Sequence, residues 1–378
     1  MSSNFMYSEI RAAMIASQMG LSFRQEVIQL VSEGVTISEV MKKWEVEKQP
    51  EVCGVLEKFH PEREIEKGLA EKVEFLSIAD SRYPELLSKI EDAPLLLYAR
   101  GQIDRVHDLS FAVVGARHAS FYGMEQARRF SRVLSDAGLT IVSGMALGID
   151  QAAHEAALKG SGRTVAVLGC GVDVIYPSDN ESLYHRIAEQ GLILSEYPFG
   201  AEPRAYHFPR RNRILSGLSL GVLVVEAHER SGSLITAYQA LEQGREVFAM
   251  PGPVHHITSR GTHRLIREGA ELVEAPEEIL MTLAGSSNLS MNQKEPPRKK
   301  FEPSEALLAG VLAPATEPEK GGDEDQKKVV GLLMNQSRDY DGLLELSGMN
   351  PSAFARVMTE LEVEGKVRKN LSGYYEPG

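Results

Sequence analysis

From about residue 110 to residue 284 the chain alternates between short apolar runs and longer segments with apolar residues at helical spacing. The runs are Phe111–Val114, Leu139–Val142, Thr164–Leu168, Leu192–Leu194, Val222–Val225 and Glu246–Ala249, short and rich in Val, Ile and Leu. Runs of this kind are buried on both faces, as in a parallel sheet covered by helices. The stretches between them, such as Met124–Asp136, Gln151–Leu158 and Ser233–Gln243, suit crossover helices. A doubly wound, mostly parallel α/β domain is predicted.

The flanks read differently. Amphipathic stretches Ser8–Met19 and Arg24–Ser32, with a helical segment at Ile37–Trp44, predict a small helical domain, joined to the sheet by a connecting segment near residues 70–109. After Leu283 come Gly285-Ser286-Ser287, then Pro296-Pro297-Arg298-Lys299-Lys300 and Gly321-Gly322-Asp323-Glu324-Asp325, a linker composition. Beyond it, Gln326–Met334 and Asp341–Ser347 read as helices, and Asn350 caps a third that starts at Pro351 and runs to about Glu364. Val367–Tyr375 reads as a hairpin turning at Ser372-Gly373, which makes this unit winged-helix-like. The expected organisation is a helical domain over 1–75, the α/β domain over 76–284, a linker over 285–324 and a winged-helix-like domain over 325–378.

In an open parallel sheet, ligands bind beyond the carboxyl ends of the strands, at the topological switch point. The loops expected there include Gly115-Ala116-Arg117, Ser143-Gly144-Met145, Gly169-Cys170-Gly171, Ser195-Glu196-Tyr197 and Glu226-Ala227-His228. The first of these, within Val113–Gly123, is a strand, a loop and a helix start in sequence. Backbone N–H groups and the positive end of the helix dipole make that an anion site, and Arg117 can clamp a phosphate with two parallel hydrogen bonds. Ser120 has the alternative of an ordinary N-cap. The loop matches neither G-x-G-x-x-G nor a P-loop. A second feature, Pro203–Arg213, holds four arginines and no carboxylate, with Tyr206 and Phe208 as stacking surfaces, which is the chemistry of single-strand binding. Ser231–Ala237 resembles a further anion-binding turn, with capping by Ser231 or Ser233 as the plainer account. Asp150 and His154, four apart, could pair as acid and base, but a helix-start acid with His154 as its partner or as a partly buried packing group is the preferred reading.

The 378 residues carry a net charge of −12, so any nucleic-acid affinity must be local. Two cysteines, Cys53 and Cys170, give neither a disulfide framework nor a thiolate metal site, and no G-K-[ST], H-E-x-x-H or G-x-S-x-G occurs. No catalytic residue, metal or cofactor is expected. With no apolar run of about 20 residues and no leader-like start, a cytoplasmic protein without membrane contact is expected. In the C-terminal unit Arg356 stands among Glu360, Glu362 and Glu364, with Lys366, Arg368 and Lys369 beyond, a poor major-groove surface. A protein contact or weak backbone contact stands there beside duplex reading as an alternative.

Taken together, the blocks from roughly Ile78 to Leu280 resemble the DNA-processing protein A family, DprA or Smf. They are G-x-R-x-x-S-x-x-G at Gly115–Gly123, Ser143–His154, Gly169–Pro177, Ser195–Pro198, Phe208–Ile214, Val225–Ala227, Ser231–Ala237 and Gly261–Ile266. The resemblance implies a Rossmann-like core flanked by a SAM-like helical domain and a winged helix. It implies a homodimer that binds single-stranded DNA, protects it, and loads RecA recombinase onto it during natural transformation, without turnover. A single-strand-binding protein is a further candidate partner. Carried over, Arg117 and Ser120 would hold a phosphate, Arg210, Arg211 and Asn212 would line the same pocket, and Gly115, Gly144, Ser231 and Ser233 would complete it. Leu265 and Ile266 would serve self-association. Two departures stand out. Asn180 is followed by Glu181 and Ser182 where many relatives have a basic residue, leaving Arg186 as the candidate substitute; and only Gly20 is present where a pair of hairpin glycines would be expected.

Two rivals remain: a nucleotide or nucleoside-monophosphate hydrolase on a related fold, with Glu226 its first suspect, and a regulator whose C-terminal domain binds duplex DNA. The hydrolase loop P-G-G-x-G-T is replaced here by Ser231-Gly232-Ser233-Leu234-Ile235-Thr236.

Overall fold

The computed structural model describes residues 3–47, 49–105, 109–160, 164–289, 323–333, 340–349, 354, 357–358, 360–361, 364–369 and 375–377. The chain divides into two compact units, Met1–Gln293 and Lys294–Gly378.

In the first unit five helices come first: α1 (Ser3–Ser17), α2 (Leu21–Ser32), α3 (Ile37–Val46), α4 (Pro50–Leu56) and α5 (Pro61–Glu71). The expected connecting segment is structured, as β1 (Glu74–Ser77), α6 (Glu85–Ser88) and β2 (Leu96–Gly101). Then follow β3 (Ser110–Val114), α7 (Phe121–Asp136), β4 (Thr140–Ser143), α8 (Ile149–Lys159) and β5 (Thr164–Leu168). The remainder is α9 (Glu181–Gln190), β6 (Leu192–Ser195), α10 (His207–Gly217), β7 (Gly221–Val224), α11 (Gly232–Glu242), β8 (Glu246–Ala249), α12 (Arg260–Arg267), β9 (Glu271–Leu272) and α13 (Pro276–Leu289).

One nine-stranded sheet runs β1-β2-β6-β5-β4-β3-β7-β8-β9. It is parallel from β6 to β9, while β2 pairs antiparallel with both β1 and β6. From β3 the chain winds one way through β4 to β6 and then, restarting at β7, the other way. The switch point therefore lies between β3 and β7, which pair with Ala112 opposite Val222.

Both faces of the sheet are buried, which is why its strands read as apolar runs. Ala112, Val114, Val165 and Val167 enter one core, Phe111, Val113 and Ile141 enter a second on the opposite face, and Ala166 and Leu168 join a third. That third core also contains Met14, Val27, Ile37 and Trp44, so α1–α5 pack onto the sheet domain. The helical segment ends at Glu71 and β1 begins at Glu74, close to the expected boundary at 75, yet no break in packing separates them.

A buried ionic knot crosses the same junction. Glu196, just after β6, accepts from Arg213 of α10 at 2.6 Å and from Arg24 of α2 at 3.4 Å, and Asp92 meets both arginines at 3.2 and 3.1 Å. At the other end, α13 runs through Gly285-Ser286-Ser287 to Leu289, so the linker does not begin at 285: Leu280 and Leu283 keep the helix packed on the sheet's core. Residues 290–322 of the expected linker lie outside the described residues.

In the second unit, helices Asp323–Leu333 and Tyr340–Ser347 accompany a hairpin in which Val367–Lys369 pairs antiparallel with Tyr375–Pro377. Asn350, most of the expected third helix and the Ser372-Gly373 turn lie outside the described residues. Phe354, Val357, Met358 and Leu361, at helical spacing, are buried with Val329, Leu333 and Leu343 in a core of this unit.

Candidate nucleic-acid interface

At the switch point the loops after β3 and β7 part to leave a crevice of about 540 Å³, closed below by the first turns of α10 and α11. Its floor is made by Arg211 and Asn212. Arg211 is 4% exposed and donates from Nη1 to the Gly144 carbonyl at 2.9 Å and to the Val167 carbonyl, and from Nε to Asn212 Oδ1 at 3.3 Å. Gly144 is needed for that approach, since a Cβ there would lie 2.5 Å from Arg211 Nη2. Asn212 in turn donates to the Gly232 carbonyl at 3.2 Å and so ties α10 to the start of α11.

Asp150 underlies this floor, accepting from the Gly144 and Ala146 amides at 3.1 and 3.4 Å. Burial pushes its carboxyl above the ordinary value, although the Arg211 charge and those amides pull it down. His154 does not pair with Asp150. Its Nδ1 lies 2.7 Å from Thr164 Oγ1, and burial, reinforced by Arg211, pushes its pKa down to about 3, so the ring is neutral near pH 7. Both lie in the fold's interior, and of the two structural places expected for His154, partner of Asp150 or packing group, its contact with Thr164 gives the second.

One wall is aromatic. Phe208 and Tyr176 lie 5.5 Å apart, and the exposed guanidinium of Arg117 stands over the Phe208 ring at 5.3 Å. Arg117 has no ion pair among the described residues. The N-terminus of α11 also lines the crevice, and there Ser231 Oγ accepts from the Ser233 amide at 3.3 Å and the two hydroxyls lie 2.7 Å apart. A free guanidinium, an aromatic face and a helix N-terminus thus converge on one space, an arrangement that can hold a phosphate beside a stacked planar ring.

The sequence-derived residues divide. Gly115, Arg117, Arg211, Asn212, Ser231 and Ser233 line the crevice, and Gly144 lies beneath it and lines an adjoining smaller cavity. Ser120 does not line the crevice, because the N-terminus of α7 is already occupied by a carboxylate of the protein. Glu226 accepts from the Ser120 amide at 2.9 Å and from its hydroxyl at 2.5 Å, while Ser120 Oγ caps the Gly123 amide at 3.0 Å. The anion site expected at α7 is therefore filled from within. Arg210 turns to a separate depression with Arg204 and Tyr206, 3.9 Å from Glu196, and Arg213 is locked in the ionic knot. The four-arginine segment is thus mostly helix, and its charges point in different directions. Arg186, half-buried on α9, lines neither cavity, and Asn180 braces the loop after β4 through the Met145 carbonyl at 2.9 Å. Leu265 is 1% exposed in the protein's own core, with Ile266 packed partly against it, so Leu265 has no surface for self-association. Tyr176, His118 and His228 line the crevice without having been singled out as contacts. Their signal was their place in loops following apolar runs and, for His118 and Tyr176, inside the blocks that carry the family resemblance.

A family model described as DNA recombination-mediator protein A matches residues 74–284, and one described as DprA winged helix domain matches residues 313–370. The first covers more than half of the chain. The chain belongs to this family. Protein Smf of Escherichia coli is 52% identical over 207 residues, 54% of this chain and 55% of that protein, so the match spans about half of that relative's length. DNA processing protein DprA of Streptococcus pneumoniae is 48% identical over 210 residues, 56% of this chain and 74% of that protein. Protein Smf of Synechocystis is 34% identical over 343 residues, 86% of this chain and 85% of that protein. Among solved structures, the S. pneumoniae DprA aligns with TM-score 0.58 at 38% identity over 73% of this chain and 97% of its own. DNA processing protein A of Helicobacter pylori, studied for its single-stranded DNA binding mode, aligns with TM-score 0.52 at 31% identity over 57% of this chain and 97% of its own. The expected family and fold class, a Rossmann-like α/β core with a C-terminal winged helix, are those observed. Among the described residues no helix is long and apolar enough to cross a membrane.

Proposed function

We propose that the crevice grips single-stranded DNA, Arg117 and the N-terminus of α11 holding a backbone phosphate while a base stacks against Phe208 and Tyr176. The observation that carries this reading is the Arg117 guanidinium, exposed and without an ion pair among the described residues, set over Phe208 in a crevice that the Ser231–Ser233 turn also lines. A cation at the start of α7 is mildly disfavoured by the helix dipole, so a ligand gives it a purpose that folding does not. The single-strand binding mode of the H. pylori relative supports the same reading. The grip hands the strand to RecA recombinase, from a cytoplasmic homodimer that protects incoming DNA in natural transformation, with single-strand-binding protein as a further partner, no chemical turnover and no cofactor.

The hydrolase alternative loses its main candidate, because both Glu226 oxygens are engaged by Ser120 and the carboxylate does not line the crevice. The test is fluorescence anisotropy of a labelled single strand with unlabelled duplex as competitor, across a salt series. Tight binding, weak duplex competition and a negative salt slope are expected. Absence of binding at low salt removes the reading. RecA filament assembly on strands covered by single-strand-binding protein, with and without this protein, tests the loading step.

A further inference from the structure

A smaller cavity of about 80 Å³ adjoins the crevice, for Arg117, Ala146, Tyr176 and Phe208 line both. Its other walls come from the loop after β4 and the end of β5, with Met145, Leu147 and Leu168. Apart from the Arg117 head group and the Tyr176 hydroxyl, the side chains around it are apolar or, at Cys170, a thiol. That thiol donates to the Val174 carbonyl at 3.3 Å, and burial pushes its pKa up to about 11, so it brings no charge. Two backbone features shape the space. A Cβ at Gly169 would lie 2.9 Å from the Phe208 ring, so a glycine there lets the ring form a wall. Met145 holds φ at 61°, a left-handed conformation uncommon for a residue with a side chain, and Asn180 Nδ2 braces it by donating to the Met145 carbonyl at 2.9 Å. Backbone strain of this kind collects where a ligand is clamped.

Folded chains leave few voids larger than a water molecule, so an apolar recess beside a phosphate site asks for an occupant. A nucleotide combines the two needs, because Arg117, which lines both spaces, can hold its phosphate while part of its base enters the recess. A cavity of about 150 Å³ admits a benzene ring, so the smaller volume here takes the edge of a base and not a whole ring. On that edge adenine and guanine carry N7 beside an amino or carbonyl group and cytosine carries an amino group, whereas thymine alone adds a methyl. Polar groups lose water on entering an apolar recess, and a methyl gains by leaving it. We propose that the recess seats the C5-methyl of a thymine, so that the crevice prefers a strand with thymine at that position. This rests on the crevice being the strand's grip.

The test uses the full chain and two labelled strands of about 6 nucleotides, oligothymidylate and oligodeoxyuridylate, which differ only in that methyl; the length keeps each strand to about one crevice. Anisotropy should show the thymine strand bound about fourfold more tightly, the value of one buried methyl. A deoxyuridine strand with one central thymine should recover most of that gain, because a single seat is filled. Ala146→Leu, at a half-buried position lining both spaces, puts a side chain into the seat and should make the two affinities equal, with urea melts reporting that the variant is folded. The comparison of strands reads the seat whatever the variant does to affinity at large, and the single-thymine strand tests it without any variant. Equal binding of the two strands by the parent overturns the proposal. So does a gain that grows with every added thymine, which is stacking along the strand, or a preference that survives undiminished in a folded Ala146→Leu. If the parent binds neither strand, or Arg117→Ala leaves both affinities unchanged, the crevice reading has failed and this one with it.

Discussion

Replacing Arg117 with alanine separates a binding role from a folding role more cleanly than any other single change at the crevice. The side chain is exposed, has no ion pair among the described residues, and stands over the Phe208 face at 5.3 Å. Its loss should move folding stability by no more than about 0.5 kcal/mol. If it holds a phosphate, one charge-assisted hydrogen-bonding group disappears, about 2 kcal/mol or about 30-fold in affinity, and the salt slope becomes shallower by about 0.7. Arg117→Lys keeps the charge and loses the planar fork, so it restores the slope but only part of the affinity. Anisotropy across a salt series, with urea denaturation as control, reads all three. Arg117→Ala binding within about twofold of the parent, with an unchanged slope, would refute the placement. Arg211→Ala makes the contrast. That guanidinium holds the Gly144 and Val167 carbonyls and faces buried Asp150, so its removal costs about 3–5 kcal/mol of stability before any ligand is considered.

Other outcomes follow from the same geometry. Glu226→Gln keeps an acceptor for Ser120 but removes the negative charge from the α7 N-terminus, so stability should fall by about 0.3–1 kcal/mol in urea melts, with strand affinity retained. Leu265→Ala should cost about 2–5 kcal/mol, because it opens a cavity in the core; a changed sedimentation state without a stability loss would contradict its burial. His154, held neutral with a pKa of about 3 against 6.5 for a free histidine, binds its proton less readily folded than unfolded. Its contribution is complete above the unfolded value and is lost as pH falls through the window toward 3. The stability slope there should approach about 1.4 kcal/mol per pH unit and flatten in His154→Gln.

The parallel sheet was legible in the sequence because burial on both faces removes the ambiguity of short strands. Thr164–Leu168 and Glu246–Ala249 coincide with β5 and β8, and the other runs differ from their strands by a residue or two. The antiparallel edge was not legible. β1 and β2 pair with each other across a segment holding Pro84 and Pro94, and β2 joins β6 through a contact about 97 residues away, Tyr98 opposite Ser195. The site was legible as residue types but not as directions. The segment 203–213 shows four arginines, yet helical phase sends Arg211 into the crevice floor, Arg213 into the ionic knot and Arg210 to the far side. Ser120 misled for a related reason: a helix N-terminus attracts any anion, and the one that arrives, Glu226, lies 106 positions further along the chain.

The divergence of Arg211 and Arg213 couples the crevice to the helical domain through α10. Arg213 is anchored by Glu196 and Asp92, which also hold Arg24 of α2, while one and two residues earlier the same helix supplies the crevice floor. A buried ion network of this kind adds little net stability over apolar packing, but breaking one member leaves the others uncompensated at about 3–5 kcal/mol. Glu196→Gln should therefore loosen α2 from α10 before it unfolds the sheet. The single tryptophan, Trp44 of α3, packed edge-on against Phe23 at 5.6 Å, reports on the helical domain alone. In the parent, Trp44 fluorescence and far-ultraviolet circular dichroism should lose structure together along a urea series, because the helices share a core with the sheet. In Glu196→Gln the fluorescence transition should come first, and strand affinity should fall although no crevice residue has changed. Coincident transitions with unaltered affinity would show that the knot only fills space, and that the helical domain does not hold α10 in place.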